Sequence, residues 1–156
     1  MSNDDVIQSL KLLLADSYAL YLKTQNYHWN IIAHNFYSLH MMFEGQYEEL
    51  AEAIDEIAER IRALGEKVPG SFAIFDQNKT VQDPDEQAST DKMLQHLADD
   101  QDTLVNILKK VVSLSEAADD PATADLAIKR IGVHQKNAWQ LRSYLEFDLV
   151  ETQLGK

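Results

Sequence analysis

Apolar residues recur along this chain at steps of three, four and seven in long unbroken stretches, the period of helices that each bury one face. The first stretch, about Asp4 to Ile32, carries Val6, Leu10, Leu13, Leu14, Tyr21 and Ile31 on one stripe, and His34-Asn35 breaks it. The second, about Phe36 to Leu64, repeats Leu39, Phe43, Leu50, Ile54, Ile57, Ile61 and Leu64, with Gly65 where a C-terminal cap belongs. Gly45 lies inside it. An interior glycine costs about 1 kcal/mol relative to alanine, which leaves two explanations open, a close approach by another group or simple tolerance. From Lys67 to Ala88 the pattern dissolves into Pro69-Gly70, Asp83-Pro84 and an apolar patch of Phe72, Ile74 and Phe75 that fits one or two helical turns. A third long helix is predicted from about Thr90 to Ala117. The fourth is predicted to start at Asp120-Pro121, a capping residue followed by the favoured first-turn proline, and to run to about Val150.

The predicted class is all-α: a four-helix bundle with one long crossover, carrying a short helix, between its second and third helices, in one domain spanning residues 1–156. With 45% apolar residues the chain can bury a core of normal size for one domain. It has no cysteine, which removes disulfides and zinc-thiolate sites and leaves only N and O ligands for any metal. The apolar run Leu10 to Leu22 is interrupted by Asp16 and Ser17 and is shorter than the roughly 20 residues a membrane span needs, so a cytoplasmic protein with no membrane contact is expected. A formal net charge of -12 disfavours phosphate backbones and anionic lipid and favours cations.

The informative polar residues are His28 on the first helix and His40, Glu44, Asp55 and Glu59 on the second. At about 100° per residue the latter four fall at roughly 0, 40, 60 and 100°, one arc of the helix surface. His28 lies eighteen positions after Leu10, in line with the apolar stripe. Ionisable groups facing a packed partner are costly unless paired or metal-bound. Each alone reads more simply as a hydrogen-bonded core histidine or a solvated carboxylate, as Glu48, Glu49, Glu52 and Glu56 do; their joint placement points to metal. His40 and Asp55 are fifteen residues apart, about 22 Å along a helix, whereas ligands to one ion lie within about 2 to 2.5 Å of it. One helix therefore cannot close the site. Two copies paired antiparallel about a two-fold axis near Glu49 and Leu50 can, and they make two equivalent sites. Imidazoles and carboxylates without sulfur suit iron, manganese or zinc, and bridging carboxylates suit a pair of ions.

Tyr27-His28-Trp29-Asn30, then Asn35-Phe36-x-x-Leu39-His40-x-Met42-Phe43-Glu44-Gly45, then Asp55-x-x-Ala58-Glu59-Arg60-x-x-Ala63-Leu64-Gly65, resembles the signature of the Dps family of mini-ferritins, the DNA-binding proteins from starved cells. The likeness extends to Asp119-Asp120-x-x-Thr123-Ala124-Asp125 and to Trp139. It implies a ferritin-like fold and a homo-oligomer, a dodecameric shell with ferroxidase sites at its two-fold interfaces, two irons per site. His28, His40 and Glu44 would come from one subunit, and Asp55 and Glu59 from its partner as the main bridging carboxylates. The resemblance also implies oxidation of ferrous iron by hydrogen peroxide in preference to oxygen, storage of ferric mineral in the cavity and protection against oxidative stress. Trp29 beside the site is assigned either radical quenching or packing against a neighbouring subunit. Asp119, Asp120 and Asp125 are candidates by position for an acidic pore that admits ions on a three-fold axis, with helix capping as the competing role for Asp120. The absence of any Glu-x-x-His pair agrees with a site shared between subunits rather than held inside one bundle.

Two features depart from the family. Glu44 stands where the family has aspartate, one methylene shorter, which leaves direct and water-mediated iron binding both open. The chain begins Met1-Ser2-Asn3-Asp4-Asp5 instead of with a lysine-rich tail, and its other end offers only Lys156. No appreciable DNA binding is expected at physiological salt. The rival expectations are a nucleoid-binding structural protein with little ferroxidase activity, and a bundle that uses its histidines for packing alone.

Overall fold

The computed structural model describes the backbone of residues 3–154 and the side chains up to residue 145. Met1, Ser2 and Lys156, which enter the charge pattern of the termini, lie outside the described residues. Five helices follow in order, α1 (Asn3–Asn30), α2 (Phe36–Ala63), α3 (Phe72–Asn78), α4 (Thr90–Ala117) and α5 (Pro121–Leu154), and the described residues contain no strand. The four long helices form two antiparallel hairpins, α1 with α2 and α4 with α5, and α1 also packs along α4. This is the expected bundle, and α3 is the short helix of the expected crossover.

The stripe residues of α1 and α2, among them Val6, Leu10, Leu13, Leu39, Phe43, Leu50, Ile57 and Ile61, are buried in one core with residues of α4 and α5 such as Leu97, Leu104, Leu108 and Leu141. Each large apolar side chain taken fully from water contributes about 1.5–3 kcal/mol, which is what holds helices of ordinary propensity in place. A Cβ on Gly45 would meet nothing within 4 Å, so within the chain no close approach demands that glycine.

Boundaries follow cap chemistry. α1 ends at Asn30, two residues before the expected Ile32, and Ile31 still donates its N–H to the Tyr27 carbonyl at 3.0 Å. α2 ends at Ala63 because Gly65 turns left-handed, φ 103°. There the Gly65 and Glu66 N–H groups bond back to the Arg62 and Ile61 carbonyls, at 3.0 and 3.3 Å. α4 ends in the same motif, with Asp119 and Asp120 donating to the Glu116 and Ser115 carbonyls at 3.1 and 2.9 Å. Here an aspartate, Asp119 at φ 55°, occupies the left-handed position that glycine fills without strain. Asp119→Gly is therefore expected to stabilise the fold by about 1 kcal/mol, seen as a higher urea midpoint with an unchanged slope.

Asp16 ties the crossover down. It looked from the sequence only like an interruption of an apolar run, but it is 1% exposed. Its carboxylate accepts the Thr80 and Val81 N–H groups at 2.7 and 2.9 Å and the Thr80 hydroxyl at 2.8 Å. A buried carboxylate is tolerated when hydrogen bonds satisfy it, and these fix the crossover against α1.

Candidate metal centre

The turn between α1 and α2 brings His28, in the last turn of α1, against His40, in the second turn of α2. Their rings stack with centres 3.7 Å apart and planes 11° from parallel. His28 Nδ1 lies 2.7 Å from the His40 carbonyl oxygen and His40 Nδ1 lies 2.7 Å from the His28 carbonyl oxygen. A carbonyl can only accept, so both Nδ1 atoms carry the proton. In the neutral rings this is the tautomer that leaves Nε2 to bind a metal, with backbone carbonyls as the orienting partners. Tyr27 anchors this end of α1: its buried hydroxyl accepts the Asp85 N–H at 3.1 Å and meets His96 Nδ1 at 3.1 Å, tying α1 to the crossover and α4.

Glu44 follows one helical turn after His40 and is half-buried. Burial, and next the charge of Glu44, raise the phenol of the nearby Tyr47 above its ordinary value. Asp55 and Glu59 are exposed and lie about 22 and 28 Å down α2 from His40. Among the described residues no three His, Asp or Glu side chains come together as a metal-holding group within the chain. The chain thus assembles the imidazole half of the predicted ligand set and holds the two carboxylates apart from it. Trp29 is 59% exposed.

The predicted pore residues divide. Asp119 and Asp125 are exposed, whereas Asp120 is buried and engaged. It caps α5 by accepting the Thr123 N–H at 3.1 Å, accepts the Thr123 hydroxyl, and pairs with Arg60 of α2 at 2.9 Å. Burial alone would raise its carboxyl; the Thr123 hydrogen bonds and then the Arg60 charge outweigh burial and hold it below the usual carboxylate range. Capping and pairing account for Asp120 within the chain.

A buried polar chain escaped the sequence reading. Glu49, taken there as solvated, pairs with Arg130 of α5, which is 3% exposed. Arg130 in turn reaches His134 Nε2 at 3.2 Å, and His134 Nδ1 meets Gln101 Oε1 of α4 at 2.6 Å. The one available signal was Arg130 and His134 four residues apart on a helix that needed an inward face. Burial, reinforced by the Arg130 charge, pushes the His134 imidazole down to about 3. Its folded value lies below the unfolded 6.5, so between those pH values the unfolded chain binds a proton that the folded chain refuses. Stability from this group is complete above about 6.5 and is lost toward about 3, at up to about 1.4 kcal/mol per pH unit. His134→Gln is expected to flatten the acid side of the stability profile, measured by urea unfolding at a series of pH values.

Comparison with known proteins gives one consistent result. The family model described as the ferritin-like domain matches residues 7–149. The DNA protection during starvation protein 2 of Bacillus anthracis is 33% identical over 143 residues, 92% of this chain and 98% of that protein. Dps from Staphylococcus aureus superposes with a TM-score of 0.90 at 29% identity, covering 92% of this chain and 97% of the other. Dps from Vibrio cholerae, described as a member of a broad superfamily of ferritin-like diiron-carboxylate proteins, superposes at 0.87 with 29% identity, over 91% and 89% of the two chains.

Proposed function

Because the chain belongs to the ferritin-like family, and within it to the Dps proteins, we propose that it oxidises ferrous iron at sites shared between two subunits. It then stores the ferric product inside a dodecameric shell and protects the cell against peroxide. The observation that carries this reading is the His28–His40 pair: two imidazoles each held by the other's backbone with Nδ1 protonated, with no third His, Asp or Glu completing a metal-holding group among the described residues. Asp55 and Glu59 of the partner subunit complete the set and bridge two irons. All the donors are nitrogen or carboxylate oxygen, the ligand types that suit iron.

Iron is the substrate, and the protein's part is positional. Fixed Nε2 atoms hold a ferrous ion without the cost of ordering two free side chains when it binds. The partner carboxylates offset the charge that grows as ferrous becomes ferric. Hydrogen peroxide takes two electrons, and two adjacent ferrous ions supply both, so no hydroxyl radical needs to leave. Asp119 and Asp125 are proposed to line the acidic path by which ions reach the cavity, where focused negative potential raises the local cation concentration. Trp29, the residue after His28, is proposed as a radical trap or a subunit contact.

Anaerobic titration with ferrous iron followed by peroxide, together with the mass of the assembly, tests this reading. About two ferrous ions oxidised per interfacial site and a twelve-subunit mass are expected; a monomer that oxidises iron equally fast would refute it. The described helices include none long and apolar enough to cross a membrane, and a cytoplasmic location is proposed. The Bacillus anthracis relative is named for DNA protection. The net charge of -12 argues against direct DNA contact here. Supercoiled DNA should migrate unretarded with this protein at moderate salt without divalent metal, and a clear shift would favour the nucleoid-binding alternative.

A further inference from the structure

Aromatic rings run without a break from the histidine pair to a cleft beside the crossover. His28 meets Tyr47 of α2 edge-on, ring centres 5.2 Å apart. Tyr47 meets Tyr21 of α1 at 5.8 Å, also edge to face. Tyr21 meets Tyr18, one turn back on α1, at 5.8 Å, and Tyr18 stacks on Phe75 of α3 at 5.0 Å. Tyr18 and Phe75 together line two open clefts beside α3, one with Leu14 and Ile54, the other with Lys23 and Asp83. Three of the successive rings are phenols, the oxidisable members of the series. All three are half-buried in the single subunit.

Aromatic pairs favour edge-to-face and offset contacts for modest energies, and core packing alone would account for any one of these contacts. Core packing does not account for three adjacent tyrosines, where phenylalanine would pack as well without a hydroxyl to satisfy. Nor does it account for a row that ends at the proposed metal ligands on one side and at a cleft beside α3 on the other. Trp29 makes no ring contact with the row among the described residues.

We propose that Tyr47, Tyr21 and Tyr18 form a one-electron relay that serves the His28–His40 site when it holds a single ferrous ion. This rests on the function proposed above. With one ferrous ion bound, peroxide finds one electron where it needs two. The relay supplies the second. One ferrous ion, one tyrosine phenol, one hydrogen peroxide and one proton give one ferric ion, one neutral tyrosyl radical and two waters. The O–O bond breaks, iron and phenol each lose one electron, and the phenolic proton ends in water. The radical moves outward along the row, and Tyr18 at the cleft is where it meets a reductant. A later ferrous ion, or a small soluble one-electron reductant such as ascorbate, returns the tyrosyl to phenol with uptake of one proton.

The assembled protein loaded with one ferrous ion per site is mixed with peroxide and frozen, and its electron paramagnetic resonance spectrum is recorded. An organic radical is expected whose splitting collapses when the tyrosine rings are deuterated, severalfold stronger than at two irons per site. The double variant Tyr18→Phe/Tyr21→Phe is expected to lose most of that signal and to release more hydroxyl radical to a spin trap, while oxidising iron at the same rate with full sites. Ring-preserving substitutions keep the packing, and the oligomer mass checks it. Iron oxidation with no tyrosine signal, or with a signal that persists in the double variant and vanishes in Trp29→Phe, overturns the relay alone. If the wild-type protein oxidises no iron with peroxide, the relay falls together with the function it serves.

Discussion

Shells assembled from equal amounts of His28→Ala and Asp55→Ala chains are expected to oxidise ferrous iron, although shells of either variant alone do not. In the proposed arrangement His28 and Asp55 of a given chain serve different sites, so a dimer of one chain of each kind has one site lacking both residues and one site lacking neither. Random pairing makes about half the dimers mixed, so about a quarter of all sites are intact. Single-variant shells should lose iron oxidation almost completely, because removing a ligand from such a site removes the binding of the ion it oxidises. Stopped-flow measurement of peroxide-driven iron oxidation in separate and co-refolded samples decides it. Mixed shells no more active than the separate ones would mean that each site is built from a single chain. The oligomer mass of each sample controls for failure to assemble.

Glu49→Ala is expected to destabilise the subunit by about 3 kcal/mol, among the largest effects of any single charge removal in this chain. Arg130 is 3% exposed, and Glu49 is its anionic partner; the neighbouring His134 is uncharged at neutral pH and cannot replace that charge. A buried guanidinium left without its counter-ion incurs most of its desolvation cost unrelieved. The lower part of the usual range applies because the Glu49 side chain is 43% exposed. Replacing both partners, Glu49→Ala with Arg130→Met, should recover most of the loss, since the buried charge is then gone. Urea unfolding at one fixed protein concentration measures both, the fixed concentration mattering because subunit association adds to apparent stability. Equal losses in the single and double variants would show that packing, not charge, holds this position.

Much of the fold was legible because it depends on local chemistry. A helical period shows in the order of apolar residues, and Gly65, Asp120 and Pro121 act on bonds within a few positions of themselves. The proposed ligand set was readable for a related reason: His28 is a polar residue in line with the apolar stripe of α1, and His40, Glu44, Asp55 and Glu59 share one arc of α2. Less visible were the residues whose roles depend on another helix. Asp16 is an interruption in a one-dimensional pattern and an anchor for the crossover in three dimensions. Glu49 belongs to a run of acidic residues indistinguishable by type, and only the approach of Arg130 from α5, 81 positions away, separates it from its neighbours. Asp119 takes a left-handed backbone, which aspartate visits more often than most residues but which its type alone does not require.

By itself the amino-acid order determined an all-helical bundle, its crossover and an acidic chain with no cysteine, because period, caps and charge are properties of neighbours in sequence. Only the tertiary structure decided that His28 and His40 face each other with both Nδ1 atoms committed to backbone carbonyls, that Asp120 is spent on Arg60 and a helix start, and that three tyrosines from two helices stand in one row. Those outcomes depend on the height and rotation at which helices dock. Docking is set by the sum of many buried contacts, and no short stretch of sequence records that sum.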